Sequence, residues 1–325
     1  MPEKKMEFGI IGLGKMGANL SLQAMEKGMR VVGYTLGGIP EELKKAGIVE
    51  AGSLEDFRKL LAPSRMVFIY IPAGPPVDEL LNKLAPLLEK KDILIDGGNS
   101  YWGDSIRRHE RLKVNGVHFI DLGTSGGTSG ARNGACFMAG GEKEAVVQVE
   151  PILLKLAVDQ GYVHAGPAGA GHYTKLVHNG IEFGMLQAIG EGMDLLGHYQ
   201  DKLDIAEVLR CWRHGSVIRS WLIDLMEAGY RSEGGLEKIP SFVEDTGEVN
   251  WLVSDALKME VPVPVIAQAV MQLFASRDDK KSWAKAIAMM RHGFGGHPYG
   301  PSQGIVRERR EGRVGDFFVK DKGEY

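Results

Sequence analysis

Four polar residues of one segment stand at spacings that suit shared chemistry. Within Gly171–Phe183, Lys175, His178, Asn179 and Glu182 occupy positions i, i+3, i+4 and i+7. On a helix these positions share a face. Lysine has an ordinary pKa of about 10.4, and burial lowers it towards the range of a general base. A solvated polar face has the same spacing, but the place of this face just after a glycine-rich turn favours a site.

A glycine loop near the start of the chain predicts a coenzyme site. Gly12–Gly17 reads G-x-G-x-x-G and lies between a predicted strand and a predicted helix. Its glycines permit a tight turn and a close approach to a pyrophosphate, which the helix N-terminus then binds. The loop residues Gly12, Leu13, Gly14, Lys15, Met16 and Gly17, with Tyr34 and Thr35 at the end of the second predicted strand, are the candidate coenzyme ligands. A plain tight turn is the alternative interpretation of the loop.

The end of the second predicted strand bears on the choice of coenzyme. After Tyr34 and Thr35 no carboxylate occurs before Glu41, and no arginine or lysine before Lys44. A ribose hydroxyl normally meets Asp or Glu there, and a 2′-phosphate normally needs a nearby cation. The missing cation favours NAD, while NADP stays open.

Two further glycine-rich blocks follow predicted strands. Asp96–Ser100 ends one strand, and Gly123–Gly130 ends the next. Ligands bind open α/β sheets at the carboxyl ends of their strands. The second block also spells G-x-S-x-G around Ser125, the signature of a hydrolase nucleophile on a strand–turn–helix. Because the sequence beyond Ala131 predicts another strand instead of a helix, we interpret the block as a backbone cradle for a substrate carboxylate or hydroxyl, with a flexible loop as the alternative.

A third cluster lies near the end of the chain. Arg291–Tyr299 contains Arg291, His292 and His297 among glycines. No carboxylate or cysteine accompanies the histidines, so we predict no metal site there or elsewhere. Arginine presents a planar donor fork to oxyanions, which favours phosphate recognition. A capped helix end with solvated charges is the alternative.

Composition excludes several classes of protein. The chain has 325 residues, 44 of them glycine, and a formal net charge of −3. That balance argues against nucleic-acid binding, which requires a basic footprint. No apolar run approaches the roughly 18 residues needed to span a membrane. Because the first residues lead directly into a strand without a signal-peptide pattern, we expect a cytoplasmic protein.

The elements that must position these residues fall into two groups. Strands and helices alternate as far as Tyr162–His164, which predicts an α/β domain with a doubly wound, mostly parallel Rossmann sheet. Beyond Gly171 the pattern is helical throughout, beginning with one long helix over residues 172–199. We therefore expect a dinucleotide-binding domain over residues 1–167 and an all-α substrate and oligomerisation domain over residues 168–325.

Taken together, the blocks resemble the decarboxylating 6-phosphogluconate dehydrogenases, in a short form with one helical segment where longer members have two. The matching segments occur in the family order; they are Gly12–Leu20, Asp96–Ser100, Ser125–Arg132, Gly171–Phe183 and Arg291–Tyr299. The resemblance implies oxidative decarboxylation of 6-phosphogluconate to ribulose 5-phosphate with NAD or NADP. It also implies a homodimer or homotetramer whose subunits share active sites.

The resemblance further implies a role for each matching residue. Lys175 corresponds to the general base at the C3 hydroxyl, and Glu182 to the acid that protonates C1 after carbon dioxide departs. Asn99 corresponds to a residue between nicotinamide and substrate. The implied substrate ligands are Asn179 and His178 at the hydroxyls and carboxylate, Ser125, Gly126 and Gly127 at the carboxylate end, and Arg291, His297 and the weaker candidate Arg277 at the 6-phosphate.

Two positions depart from the family pattern. Phe183 stands where the family often has tyrosine, and Thr246–Trp251 offers Glu248 where longer relatives carry a lysine block. Both departures affect the expected phosphate contacts. Three other functions compete: a β-hydroxyacid dehydrogenase that does not decarboxylate, a hydrolase using Ser125, and a nucleotide-sensing module without turnover.

Overall fold

The computed structural model describes residues 6–304, and within them the strands form a single eight-stranded sheet. The strands are β1 Glu7–Ile11, β2 Arg30–Tyr34, β3 Val49–Glu50, β4 Met66–Ile69, β5 Ile93–Asp96, β6 His118–Ser125, β7 Ala135–Gly140 and β8 Ala157–Gly166. Their order is β3-β2-β1-β4-β5-β6-β7-β8. All neighbours pair parallel except β6 and β7, which are antiparallel. The predicted Rossmann sheet is confirmed.

Alternating apolar residues place a core on each face of this sheet. On β5, Ile93 and Ile95 belong to one buried cluster, whereas Leu94 belongs to the other. Strand side chains point alternately to opposite faces, so a strand made of continuous aliphatic residues must be covered twice. The sheet and the elements that cover its two faces therefore form three layers. The ends of the strands hold the loops that follow them in place.

The helices connect the strands and then continue alone. They are α1 Lys15–Glu26, α2 Glu41–Ala46, α3 Phe57–Leu60, α4 Pro75–Leu84, α5 Trp102–Lys113, α6 Gly127–Asn133, α7 Lys143–Leu156, α8 Ala170–Gly197, α9 Ile205–Trp212, α10 Trp221–Glu233, α11 Glu248–Lys258, α12 Pro264–Arg277 and α13 Ser282–Gly295. The predicted helical character of the C-terminal part is confirmed as far as residue 304, where the chain after β8 is mostly helical. No helix of residues 6–304 has both the length and the hydropathy that a membrane span requires.

The structure places an unpredicted helix between Ser125 and the expected strand. Gly126 adopts φ 109° and ψ 0°, and the chain then forms the short helix α6 before β7 begins at Ala135. The local order is thus strand, turn and helix. The sequence did not predict α6 because its residues are mostly Gly, Ser and Thr, which favour turns over helices.

The chain forms two compact units. The first extends to Ile181 and includes Gly247–Val261, and the second comprises Glu182–Thr246 and the residues from Pro262 onward. The first turns of α8 lie with the sheet because Gly171 packs on β6 and β7: a Cβ at Gly171 would lie 2.3 Å from the carbonyl oxygen of Asp121 and 2.5 Å from that of Met138. The compact units therefore divide the chain later than the boundary predicted at residues 167/168.

Candidate active site

The glycine loop after β1 has the shape of an anion cradle. Gly12 adopts φ +93°, and a Cβ on it would lie 2.3 Å from the carbonyl oxygen of Tyr70. A Cβ at Gly14 would meet nothing within 4 Å, so this side of the loop is open. Helix α1 begins at Lys15 with no acidic residue in its first turn and no capping side chain from the described residues. Its first N–H groups and positive dipole end therefore suit a pyrophosphate.

The end of β2 lies beside this loop. The Gly12 amide donates to the carbonyl oxygen of Tyr34 at 2.9 Å, which joins the turn to the second strand. Tyr34 and Thr35 are half-buried there. The nearest following cation, Lys44, is exposed and pairs with Glu41 at 3.1 Å, and this pairing raises the pKa of Lys44. The residues present fit a dinucleotide, and the first cation after the strand already has a carboxylate partner.

Asn99 lies in a loop that is fixed from beneath by Asp96, the last residue of β5. One oxygen of the buried Asp96 accepts from the Gly98 amide at 3.1 Å, and the other accepts from the Ser100 hydroxyl at 2.7 Å. The fully buried Arg108 of α5 donates to Ser100 at 3.3 Å and lies 3.5 Å from Asp96. This polar frame holds the two residues flanking Asn99, whose own side chain is exposed.

Helix α8 is anchored to β6 at the level of Lys175. The buried Asp121 accepts from the Gly169 amide at 2.7 Å and from the His172 amide at 2.8 Å, which satisfies N–H groups at the start of the helix. A Cβ at Gly123 would lie 2.6 Å from the Cβ of Lys175. Because glycine occupies that position, the helix lies directly on the strand, and Lys175 is fixed one turn inside the helix.

Three of the four residues of the predicted helix face form a cluster of side chains in the first unit. Lys175 Nζ donates to Asn179 Oδ1 at 2.6 Å and lies 3.4 Å from His178 Nδ1. His178 Nε2 lies 3.1 Å from the Ser125 hydroxyl at the end of β6. Lys175 and Asn179 are 9% and 5% exposed, so little bulk water competes for their hydrogen bonds. The arrangement can hold and move a proton at Lys175 Nζ.

Glu248, at the start of α11, joins this cluster from a distant part of the sequence. Its Oε1 accepts from Asn99 Nδ2 at 3.1 Å and from Asn179 Nδ2 at 3.2 Å. A cavity of about 10 Å³ lies among these groups; its lining is Asn99, Ser100, His172, Lys175, Leu176, Asn179, Glu248 and Trp251. That volume is about the least that holds one ordered water.

Helix α11 is fastened to the loop that carries Asn99. The buried Asp255 accepts from the Tyr101 hydroxyl at 3.1 Å and from Trp102 Nε1 at 2.9 Å. Burial, and then the Asp255 carboxylate, raise the pKa of the Tyr101 hydroxyl, which keeps it a donor. The rings of Tyr101 and Trp251 meet edge to face at 5.7 Å. Glu248 and Asn99 therefore share one rigid support.

Sequence reasoning missed three residues of this pocket. His172 stands three positions before Lys175 on the same helix face, and that spacing could have identified it. Its Nδ1 lies 2.7 Å from the Ser105 hydroxyl, and its buried Nε2 has no partner among the described residues. The sequence singled out Glu248 only as a departure from a family pattern. No sequence pattern near Lys175 indicates Glu248 or Trp251, because both lie on α11, far from α8 in the sequence.

The other predicted site residues belong to the second unit. Glu182 lies two turns beyond Lys175 along α8, and Arg291 lies on the exposed α13. His297 follows α13 and meets the Phe294 ring edge to face at 6.0 Å. Arg277 pairs with Asp245 at 2.8 Å and with Glu244 at 3.4 Å, so its guanidinium is already occupied by carboxylates.

Comparison with known families decides between the alternatives. A model of the NAD-binding domain of 6-phosphogluconate dehydrogenase matches residues 7–166, and a model of the C-terminal domain of the same enzyme matches residues 171–297. The chain belongs to the 6-phosphogluconate dehydrogenase family. The predicted resemblance is confirmed, and the first match shows an NAD-binding domain.

Two relatives within this family match over nearly their whole length. The Bacillus subtilis protein YqeC, provisionally named a 6-phosphogluconate dehydrogenase, is 44% identical over 90% of this chain and 98% of its own. An NAD(+)-dependent, decarboxylating 6-phosphogluconate dehydrogenase of Haloferax volcanii is 37% identical over the same shares. The solved 6-phosphogluconate dehydrogenase of Plasmodium falciparum superposes with a TM-score of 0.77 and 28% identity, covering 94% of this chain and 68% of that one.

Proposed function

We propose that the chain catalyses the oxidative decarboxylation of 6-phosphogluconate to ribulose 5-phosphate and carbon dioxide, with NAD as the coenzyme. One observation carries the proposal: Lys175, buried and hydrogen-bonded to Asn179, lies with His178 and Ser125 at the carboxyl end of β6. Family membership supplies the substrate, since a relative matched over 98% of its length is named for this reaction.

The side chains of the first unit have the chemistry that the reaction needs. Neutral Lys175 removes the proton of the C3 hydroxyl, and Asn179 Oδ1, at 2.6 Å, receives the ammonium that forms. Bound NAD supplies the hydride acceptor. The resulting β-keto acid loses carbon dioxide because the keto group accepts the electron pair, and Lys175 returns a proton to the C3 oxygen. Glu182 then protonates C1 of the resulting enediol while Lys175 takes back the hydroxyl proton, which leaves the ketone of ribulose 5-phosphate.

The remaining residues bind and orient the substrate in this proposal. Ser125, Gly126 and Gly127 hold the carboxylate end at the turn after β6, and His178 Nε2 orients the Ser125 hydroxyl at 3.1 Å. Asn99, in the loop after β5, would bind the substrate and the nicotinamide end of NAD. Arg291 and His297 bind the 6-phosphate. Arg277 contributes only if it releases Asp245, so Arg291 is the stronger phosphate ligand of the two.

We also propose that the enzyme works in the cytoplasm as a homodimer or homotetramer. None of the fourteen residues of α13 is buried. The exposed side chains of that helix include Trp283, Met289, Met290 and Phe294. Large exposed apolar patches mark interaction surfaces. If a second copy covers α13, Arg291 and His297 of this chain would lie against that copy. They could then complete an active site that the two copies share.

Steady-state kinetics with 6-phosphogluconate test the proposal. Parallel assays with NAD and NADP should show turnover with a higher kcat/KM for NAD, and ribulose 5-phosphate and carbon dioxide should form in equal amounts. Oxidation of 3-hydroxy acids without carbon dioxide would instead identify a β-hydroxyacid dehydrogenase. Turnover of esters without coenzyme would identify a hydrolase, and coenzyme binding without any turnover a sensing module.

A further inference from the structure

We infer that Glu248 is a positioning residue, whose carboxylate fixes the amide of Asn179 so that its oxygen faces Lys175. The inference rests on the proposed function for its kinetic consequences. Its geometric part concerns only three side chains of the first unit: Lys175 and Asn179 of α8, and Glu248 of α11.

The argument begins with what each group can accept or donate. An ionised carboxylate only accepts hydrogen bonds, and a lysine ammonium only donates them. Asn179 lies between one group of each kind, with Nδ2 3.2 Å from Glu248 and Oδ1 2.6 Å from Lys175. Only one orientation of the amide satisfies both neighbours. Rotating it by half a turn would place the NH₂ group against the ammonium and the oxygen against the carboxylate.

A second amide converges on the same carboxylate oxygen. Asn99 Nδ2 donates to Glu248 Oε1 at 3.1 Å, although the two residues are 149 positions apart. Glu248 therefore sets the orientation of both asparagines of the site at once. Charge-assisted hydrogen bonds of this kind are stronger than those between neutral groups.

Glu248 has the rigidity that a positioning residue requires. It occupies the first turn of α11, and Asp255 of the same helix, 5% exposed, accepts from Tyr101 and Trp102. Those two aromatic residues directly follow the loop of Asn99. A positioning residue must itself be held by packing and by further hydrogen bonds. The same hydrogen bonds of Asp255 therefore fix both Glu248 and the loop that carries Asn99.

Removal of the carboxylate takes away the acceptor of Asn179 Nδ2 and leaves the amide held from its Oδ1 side, which faces Lys175 Nζ at 2.6 Å and His178 Nδ1 at 3.2 Å. Lys175 then loses its fixed acceptor in part of the molecules, and the proton transfer loses alignment. We expect Glu248→Ala to lower kcat about 10- to 100-fold, the effect of one charge-assisted hydrogen bond on a barrier. The KM for NAD should change less than about twofold, because the glycine loop lies elsewhere.

A conservative variant separates orientation from simple loss of structure. Glu248→Gln retains a carbonyl oxygen that can accept from both amides, so it should keep kcat within about fivefold of the wild type. Glu144→Ala removes an equally charged but exposed side chain on α7 and should leave kinetics unchanged. Equal losses in the Ala and Gln variants would overturn the inference, as would no loss in the Ala variant.

Double-mutant cycles test whether Glu248 affects kcat through Asn179. If Glu248 acts through Asn179, Glu248→Ala should change kcat little in an Asn179→Ala background, yet retain its full effect in an Asn99→Ala background. Strictly additive losses with Asn179→Ala would overturn the inference.

A measurement without substrate distinguishes this inference from the proposed function. Acetylation of Lys175 at a fixed pH, followed by peptide mass spectrometry, reports how much of the amine is neutral. A hydrogen bond to the ammonium favours the charged form of Lys175. Lys175 should therefore be acetylated faster in Glu248→Ala than in the wild type, and at an intermediate rate in Glu248→Gln. If the wild type were inactive with 6-phosphogluconate but the acetylation rates followed this order, only the proposed function would be contradicted. Equal acetylation rates in the wild type, Glu248→Ala and Glu248→Gln would contradict the role of Glu248.

Discussion

At the residue scale, Lys175 is the side chain on which the proposed chemistry depends. Lys175→Met keeps most of the apolar stem but removes the group that takes and returns a proton. We expect kcat to fall at least about 10²-fold, the usual contribution of a general base. The dissociation constant of NAD, measured by titration without substrate, should stay unchanged because the residue is not part of the glycine loop. A variant with the kcat of the wild type would contradict the mechanism.

Gly123 offers a second test, because the helix lies so close to the strand there. A methyl group at this position would lie 2.6 Å from the Cβ of Lys175 and 2.8 Å from the carbonyl oxygen of Gly171. We expect Gly123→Ala to lower the free energy of unfolding by about 1–3 kcal/mol through overpacking. It should also lower kcat, since α8 must shift.

A control glycine for that substitution lies on α8, the helix that packs on Gly123. A Cβ at Gly190 would meet nothing within 4 Å, so Gly190→Ala should leave kcat unchanged and raise helix stability by up to about 1 kcal/mol. Urea unfolding and steady-state kinetics measure both variants. If the two substitutions had equal effects, the close approach of β6 and α8 would not govern the site.

The sequence brings together the candidate residues that share one helix or follow neighbouring strands, and it fails for Glu248. Lys175, His178 and Asn179 could be grouped because helical periodicity is a local property. Ser125 and Asn99 could be placed near them because parallel strands end at the same edge of a sheet. Glu248 could not, since its hydrogen bond to Asn179 spans 69 positions and depends on how α11 returns to the sheet.

At the scale of elements, the ion pairs of Arg108 join α5 to α4 and to the Asn99 loop. Asp78 on α4 accepts from Arg108 Nε at 3.1 Å, and chiefly this bond lowers the pKa of Asp78 to about 2. A carboxyl whose pKa is lowered on folding stabilises the native state above its unfolded pKa of about 3.9, and this contribution disappears as the pH falls towards the folded value.

That linkage gives a testable pH dependence. We expect Asp78→Asn to lower the free energy of unfolding by on the order of 1–2 kcal/mol at pH 7. The difference between variant and wild type should shrink as the pH falls from about 4 to 2. Denaturant titrations across that range measure it. A difference that stayed constant with pH would show that the carboxylate charge contributes nothing.

The sequence predicts the strands and helices that have strong hydrophobic patterns, and it misses those with weak patterns. Val67, Phe68 and Ile69 predict a buried strand because only a sheet covered on both faces accommodates such a run. Strand β3 has two residues and carries no periodic signal. Helix α6 depends on the left-handed conformation of Gly126, which composition alone does not indicate.

At the scale of the whole molecule, a shared site predicts complementation between subunits. Lys175→Met and Arg291→Ala should each be nearly inactive with 6-phosphogluconate. If each site takes Lys175 from one copy and Arg291 from another, a mixed dimer has one site with both defects and one intact site. Unfolding and refolding the two variants together should therefore restore activity. No recovery, with mixed dimers demonstrated by mass, would place Arg291 in the site of its own chain.

The order of the pocket's parts along the chain bears on how the protein is made. The glycine loop and the first seven strands are complete before residue 141, and β8 and the first half of α8 follow before residue 182, whereas Glu248 is synthesised 69 positions after Asn179. Chains fold from the N-terminus during synthesis, and contacts between distant positions form slowly. A nascent chain therefore has the parts of a coenzyme site well before it has the carboxylate that orders Asn99 and Asn179, so coenzyme binding should precede competence for turnover.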